Sequence, residues 1–191
     1  ADSSQGTVSF HRDSVYAGAY MHTLIATANY GYHFVQWNDG NTDNPRIIAL
    51  TQDTTFTAEF AKNTYSVKTE SANSERGTTK GDTTALYLDQ IEISATPNYG
   101  YHFSYWNDGN TDNPRIITLR RDITFIAEFM KNTYTINTQC NASQGIISGD
   151  LQAEYLDLVE LTAIPNRGFY FVRWSDGNTD NPRTVELTQD T

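Results

Sequence analysis

The sequence predicts a mostly β protein: three tandem, small β-rich modules in an elongated array. Three observations carry this reading. The decapeptide Trp-Asn-Asp-Gly-Asn-Thr-Asp-Asn-Pro-Arg starts at Trp37, recurs at Trp106 and returns at Trp174 with Ser175 in place of the first Asn, at spacings of 69 and 68 residues. A near-constant period of this kind marks repeated structural units. Thr, Tyr, Phe, Ile and Val recur in short runs with no long helical period, which favours strands. Turn-forming Gly, Asn, Asp and Pro separate those runs at matching offsets in each copy.

In chain order, each copy opens near a Gly: Ser-Gln-Gly at Gly6, Glu-Arg-Gly at Gly77, Ser-Gln-Gly at Gly145. These glycines suit a turn with positive φ. A Tyr follows ten residues later in every copy, at Tyr16, Tyr87 and Tyr155. Next comes a strand alternating with period two, clearest in Ile91-Glu92-Ile93-Ser94-Ala95 and Val159-Glu160-Leu161-Thr162-Ala163, with His22–Ala26 the counterpart in copy one. Two extra residues around Gly18-Ala19-Tyr20-Met21 account for the drift in spacing, in a connection where insertions are tolerated.

The Asn-Tyr-Gly turns at Gly31 and Gly100, and Asn-Arg-Gly at Gly168, hand over to aromatic strands ending at Trp37, Trp106 and Trp174, so each pair reads as a hairpin. After the Asp-Gly-Asn-Thr-Asp-Asn-Pro-Arg loop, Ile47–Leu50 and its copies form another short strand. A final strand, Thr55–Phe60, puts Phe56, Ala58 and Phe60 on one face; Phe125, Ala127 and Phe129 repeat this in copy two. Lys62-Asn63-Thr64 and Lys131-Asn132-Thr133 are connectors too short for independent tumbling, and they lead into the strands Tyr65–Thr69 and Tyr134–Thr138.

The module boundaries follow: 1–61, lacking the first strand; 62–130, complete; and 131–191, lacking the last strand. A unit of this size buries only about 60% of the surface of its unfolded chain, so each copy gains from packing on its neighbours. Incomplete copies are expected to leave sheet edges or apolar faces under-covered, and adding the missing strand after Thr191 should raise thermal stability.

The net charge of −10 argues against nucleic acid or an anionic membrane as partner, since both need clustered Lys and Arg. No apolar run is long enough to insert in a membrane as a helix, and no signal peptide opens the chain. The single cysteine, Cys140, allows no internal disulfide and is expected to be a small buried or semi-buried side chain.

The combined pattern Gly-Tyr-x-Phe-x-x-Trp-[Asn/Ser]-Asp-Gly-Asn-Thr-x-Asn-Pro-Arg, with Asp-Thr-Thr-Phe-Thr-Ala-Glu-Phe after it, resembles the divergent internalin-B-type B-repeat family, bacterial surface repeats related to the Listeria–Bacteroides repeats. The likeness covers essentially the whole chain three times. It implies small β-grasp-like modules, or small mixed or antiparallel sheets, at the cell surface or outside the cell, serving as spacers or adhesive stalks. It implies no catalytic residues and no cofactor. Its implied partners are other domains of the parent chain, a glycan or a host surface protein. The chain departs from the family where Tyr87-Leu88-Asp89-Gln90 and Tyr155-Leu156-Asp157-Leu158 lack the Gly kept at Gly18, and a single helical turn is expected to replace the usual one there.

The residues that stand out as ligand-facing or structural are Trp37, Asp39, Asp43 and Arg46, with their copies Trp106, Asp108, Asp112 and Arg115, and Trp174, Asp176, Asp180 and Arg183. Asp39, Asn41 and Asp43 have the spacing of a calcium loop, but Asn44 stands where Gly is needed, and Leu50, Leu119 and Leu187 stand where the bidentate Glu belongs. The loop therefore reads as a structural turn, with each Arg folding back on the loop carboxylates. One Trp per copy beside an aromatic strand reads as the centre of a small core, its indole N–H bonded to the turn; exposed, the same ring would stack on sugars. His33 and His102 correspond to Tyr170 in copy three, so no repeated metal site is formed and they read as half-exposed strand residues. The expected function is a non-catalytic spacer and adhesion segment; the alternative is a glycan- or host-protein-binding module using the aromatic strand and loop.

Overall fold

The computed structural model describes residues 2–16, 19–149 and 151–191. Copy one contains β1 (Gly6–Tyr16), β2 (Ala19–Ala28), β3 (Tyr32–Trp37), β4 (Arg46–Ala49) and β5 (Ala58–Lys62). Copy two contains β6 (Thr64–Ser71), β7 (Gly77–Lys80), β8 (Thr83–Leu86), β9 (Gln90–Pro97), β10 (Tyr101–Trp106), β11 (Arg115–Thr118) and β12 (Ile123–Lys131). Copy three contains β13 (Thr133–Thr135), β14 (Gly145–Ser148), β15 (Gln152–Glu154), β16 (Leu158–Pro165) and β17 (Arg183–Glu186). No helix lies among the described residues. The mostly β class holds, realised as small antiparallel sheets.

By compactness the chain divides into two units: Ala1–Thr69, Gly81–Ile93 and Pro114–Thr124 form the first, and Glu70–Lys80, Ser94–Asn113 and Phe125–Thr191 the second. In the first unit, β1, β2 and β4 make a three-stranded sheet and β3 pairs with β5. The period-two pattern of β2 sends Leu24 and Ala26 inward, where they meet Ile48 of β4 and Trp37, Ala58 and Phe60 of the smaller sheet. This is a minimal sandwich. Val67, Tyr87, Ile93, Ile117 and Leu119 are the other buried apolar side chains of this unit.

In the second unit β10 pairs with β12, and β7 with the C-terminal half of β9. Trp106, Phe125, Ala127 and Phe129 are buried there. In copy three, β16 is flanked by β14 and β17, and Val159 and Leu161 gather Ile136 and Leu187 into a smaller core.

Several expectations are corrected. Gly6, Gly77 and Gly145 are not left-handed; Gly6 and Gly77 are needed because a Cβ there would stand 2.5 Å from the rings of Phe60 and Phe129. The residues after Tyr87 and Tyr155 do not form a helical turn. They form tight turns in which Asp89 N–H donates to Leu86 O and Asp157 N–H to Glu154 O, both at 3.0 Å, with Leu88 (φ 68) and Leu156 (φ 65) left-handed. Gly18 lies outside the described residues.

The last strand of copy one starts at Ala58 rather than Thr55, and the connectors shrink to Asn63 and Asn132 alone. The strand expected at Tyr134–Thr138 is only Thr133–Thr135. Cys140 follows in irregular chain and is exposed, its Sγ 3.3 Å from Gly145 O. Residues 169–174, expected as the third aromatic strand, are not a strand, because no described segment pairs with them as β5 and β12 pair with β3 and β10. β1 was not expected at all; it is eleven residues long and pairs with β2 with a register shift between Arg12 and Val15.

Candidate functional site

The repeated decapeptide folds as a self-contained loop. Trp37 N–H donates to Asn41 O (2.8 Å), Gly40 N–H to Trp37 O (2.8 Å), and the indole N–H of Trp37 to Asp43 O (2.8 Å). Asp39 Oδ1 accepts from Asn41 N–H at 3.2 Å and Asn41 Oδ1 from Asp43 N–H at 2.9 Å, two short side-chain turns that fix the backbone. Gly40 is left-handed (φ 83), which an L side chain resists.

Asn44 then bridges to the neighbouring strand: its Oδ1 accepts from Ala26 N–H (2.9 Å) and its Nδ2 donates to Ala26 O (2.7 Å). The side-chain amide replaces a strand residue where β4 has not yet begun. Asn113 with Ala95, and Asn181 with Ala163, repeat the bridge.

Trp37 and Trp106 are fully buried, and Trp174 is half-buried. Phe34 and Phe103 tilt against the first two indoles with centroids 5.3 Å away, and Phe171 does the same to Trp174. The indole N–H groups of Trp106 and Trp174 reach Asp112 O (3.0 Å) and Asp180 O (2.8 Å). Two of the three indoles therefore present no face to a sugar.

Arg46 grips Asp39 with both guanidinium nitrogens, at 2.7 and 2.6 Å, and Arg183 reaches Asp176 at 2.7 Å. The guanidinium hydrogen bonds hold both carboxyls below their usual value of 3.8, and the Asp39 bond raises the Arg46 pKa. Asp108 and Arg115 occupy the same positions in copy two. Asp43, Asp112 and Asp180 each take a weak bond from the Asn two residues before, at 3.3–3.4 Å. The loop oxygens thus face protein donors. Among the described residues no group of three or more His, Cys, Asp or Glu stands ready for a metal ion.

A second repeated constellation escaped the sequence reading. Tyr87, from the start of copy two, fits over Gly31 in the turn of copy one, and a Cβ on Gly31 would collide with its ring. Tyr30, Tyr32 and Tyr65 surround it edge-on at 5.7, 5.7 and 6.4 Å. Asn63 stitches the joint, its N–H donating to Gly31 O and its carbonyl accepting from Tyr87 N–H, at 2.8 and 2.9 Å. Tyr30 Oη closes it onto Arg120 O at 2.9 Å.

Copy three joins copy two in the same way. Tyr155 covers Gly100 among Tyr99, Tyr101 and Tyr134, Asn132 links Gly100 O to Tyr155 N–H, and Tyr99 Oη reaches Thr188 O. The ten-residue interval from Gly to Tyr was visible in sequence; its partner turn in the previous copy was not. His33 and His102 are exposed and bond Asn63 and Asn132 at 2.8 and 2.9 Å, so they brace the same joints.

The divergent InlB B-repeat domain family matches the chain at residues 1–64, 67–133 and 134–191. The family is typically non-catalytic and suggests a repeat module of a surface protein. No helix among the described residues is long and apolar enough to cross a membrane. No match was found among curated proteins or solved structures.

Proposed function

Because the chain belongs to the divergent InlB B-repeat family, we propose that it is a non-catalytic spacer segment of a bacterial cell-surface or secreted protein, with weak multivalent adhesion as its second role. The observation carrying this reading is the repeated joint. Tyr87 over Gly31 and Tyr155 over Gly100 use the same rings, the same Asn and the same terminal tyrosine hydroxyl bond. A spacer needs each unit held to the next in one geometry, and aromatic burial of this kind supplies it at about 0.5–1.5 kcal/mol per ring pair beyond area burial. Lys62–Asp89 (3.7 Å) and Lys131–Asp157 (2.9 Å) span the joints as well, though solvent screening leaves such exposed pairs a minor share of the hold.

The conspicuous ionisable groups of the motif support a structural role, since Asp39 with Arg46 and Asp176 with Arg183 are spent inside their own loops. Adhesion would then come from surface groups repeated at a fixed spacing, where avidity compensates for weak single contacts.

Small-angle scattering of the chain beside Gly31→Ala and Gly100→Ala tests the spacer reading. The variants should keep their far-UV circular dichroism and show a broadened distribution of interatomic distances. Unchanged scattering from both variants would refute the proposed role of the joints. Screening the chain on arrayed glycans and host surface proteins tests the adhesive role, and a blank array removes it.

A further inference from the structure

We propose that Asp39-Gly40 is a latent site of main-chain isomerisation and that Arg46 is the positioning residue that keeps it dormant. Aspartate followed by glycine is open to this reaction because glycine has no side chain to shield its backbone nitrogen. Asp-Gly occurs three times in the chain, at Asp39, Asp108 and Asp176, each time with an Arg seven residues later, at Arg46, Arg115 and Arg183.

The reaction is an internal condensation. The Gly40 nitrogen attacks Cγ of Asp39 and a C–N bond forms. The carboxyl must be protonated, so that its hydroxyl can leave with the Gly40 N–H proton as one molecule of water. Water then opens the five-membered imide at either carbonyl. Opening at Cγ restores aspartate, whereas opening at the main-chain carbonyl leaves the chain running through Cγ, one carbon longer. Water is the sole co-reactant. The extra carbon would displace the loop backbone where Gly40 N–H bonds Trp37 O and Trp37 N–H bonds Asn41 O, both at 2.8 Å.

Burial does not protect the site. Asp39 and Gly40 are exposed, the Asp39 side chain at 43%, and nothing lies within 4 Å of a Cβ built on Gly40. Protection comes instead from restraints on the reacting atoms. The Gly40 proton that must leave is held by Trp37 O. Asp39 Oδ1 accepts from Asn41 N–H at 3.2 Å and from Arg46 Nη1 at 2.7 Å, and Oδ2 accepts from Arg46 Nη2 at 2.6 Å. The carboxyl must release both prongs before it can turn Cγ towards the nitrogen. The Arg46 hydrogen bonds also lower the Asp39 pKa, and an ionised carboxylate has no hydroxyl to lose.

Arg46 is itself fixed. Its side chain is mostly covered and its guanidinium lies 4.9 Å from the Phe56 ring centroid, so the two-pronged grip is preorganised. The turn does not depend on it, since Trp37, Gly40, Asn41 and Asp43 close the loop with their own amides and carbonyls. An ion pair with one partner this exposed adds little to stability. Its distinctive effect is on the carboxyl it holds.

The parts recur. In copy two Gly109 N–H donates to Trp106 O at 2.7 Å, Asp108 Oδ1 accepts from Asn110 N–H at 3.2 Å, and Asp108 and Gly109 are exposed. In copy three Gly177 N–H donates to Trp174 O at 3.0 Å and Arg183 reaches Asp176 at 2.7 Å.

The experiment incubates the intact chain and its Arg46→Gln and Arg46→Lys variants at about pH 5, where the protonated share of the carboxyl is raised while the fold persists. Liquid chromatography of chymotryptic peptides separates isoaspartyl from aspartyl forms and detects the imide by its loss of one water. Wild type in urea gives the unrestrained rate, and Asp108, with Arg115 untouched, is the control inside each molecule. Near-UV circular dichroism reports that the variants stay folded. Isoaspartate at Asp39 should accumulate about three- to tenfold faster in Arg46→Gln than in wild type, with Asp108 unchanged. Arg46→Lys keeps a cation without the planar fork, so its rate should fall between the two, and it carries the comparison should Arg46→Gln fail to fold. Equal rates at Asp39 in wild type and the folded variants would overturn the proposal. So would folded wild type isomerising at Asp39 as fast as the chain in urea. A joint rise at Asp39 and Asp108 in a folded variant would overturn it as well, because general loosening, rather than release of one carboxyl, moves both.

Discussion

Tyr87 occupies the space that a Cβ on Gly31 would need, across the junction between copies one and two. Gly31 also sits at φ 86, so two penalties coincide. Gly40 is the control: φ 83, with nothing within 4 Å of its would-be Cβ. Gly40→Ala should cost about 1–2 kcal/mol from left-handed strain alone. Gly31→Ala adds the overpacking of Tyr87 and should cost about 2–5 kcal/mol in total. Denaturant unfolding of the two variants measures the difference, and equal costs would show that the Tyr87 ring yields freely.

Leu88 and Leu156 hold positive φ without the freedom of glycine. Such a residue carries about 1–2 kcal/mol of strain. Both side chains are exposed, so little apolar burial offsets it. Leu88→Gly keeps the backbone N–H that donates to Leu119 O at 2.7 Å. Even after the entropy of an added glycine, about 0.5–1 kcal/mol, stability should hold or rise by up to ~1 kcal/mol, where the same change at an ordinary strand position lowers it. A melting temperature raised or unchanged in Leu88→Gly and lowered in Leu86→Gly, an exposed leucine within β8, would bear this out.

Acid should destabilise the protein through carboxylates that accept protein hydrogen bonds. The Arg46 guanidinium depresses Asp39, Ser66 backbone N–H depresses Asp122, the Thr69 hydroxyl depresses Asp82, Lys131 depresses Asp157, and Arg183 depresses Asp176, all below the usual 3.8. Each folded pKa lies below its unfolded value. The stabilisation is therefore fully present above the unfolded value and disappears as pH falls through the folded one. The melting temperature should stay nearly flat between about pH 7 and pH 5 and fall below about pH 4. Asp122→Asn keeps an acceptor for Ser66 N–H, now 2.7 Å from the carboxylate, and removes the titration, so its acid slope should be shallower.

The parts legible in sequence are those whose cause is local. Period-two runs placed β9 and β16, and Asn-Tyr-Gly placed the turns at Gly31 and Gly100 with the aromatic strands β3 and β10 after them, because alternation and positive φ are properties of a few consecutive residues. The loop was legible too, since its carbonyls, amides and Asx side chains bond within ten residues. The joint was not. Tyr87 and Gly31 are paired only by the packing of one copy on the next, and no local pattern announces that. Gly6 and Gly77 were assigned to turns when their reason is a Phe ring brought from the far end of the same copy. Residues 169–174 show the converse: their sequence is strand-like, yet a strand needs a partner ladder, and the described chain supplies none.

The three tryptophans should separate by cost when each is changed to Phe. In all three the indole N–H bonds a loop carbonyl, at 2.8, 3.0 and 2.8 Å, so each variant leaves that carbonyl without its donor. For Trp37 and Trp106 that bond is part-buried beside a fully buried ring, whereas at Trp174 it is exposed. An unsatisfied buried acceptor costs about 1–3 kcal/mol, and the cavity left by the smaller ring adds to that. Trp37→Phe and Trp106→Phe should therefore lose about 2–4 kcal/mol. Trp174 lies half-buried beside an open cleft, where water reaches Asp180 O and fills the space left by the indole. Trp174→Phe should cost about 1 kcal/mol or less. Chemical denaturation of the three variants measures this order.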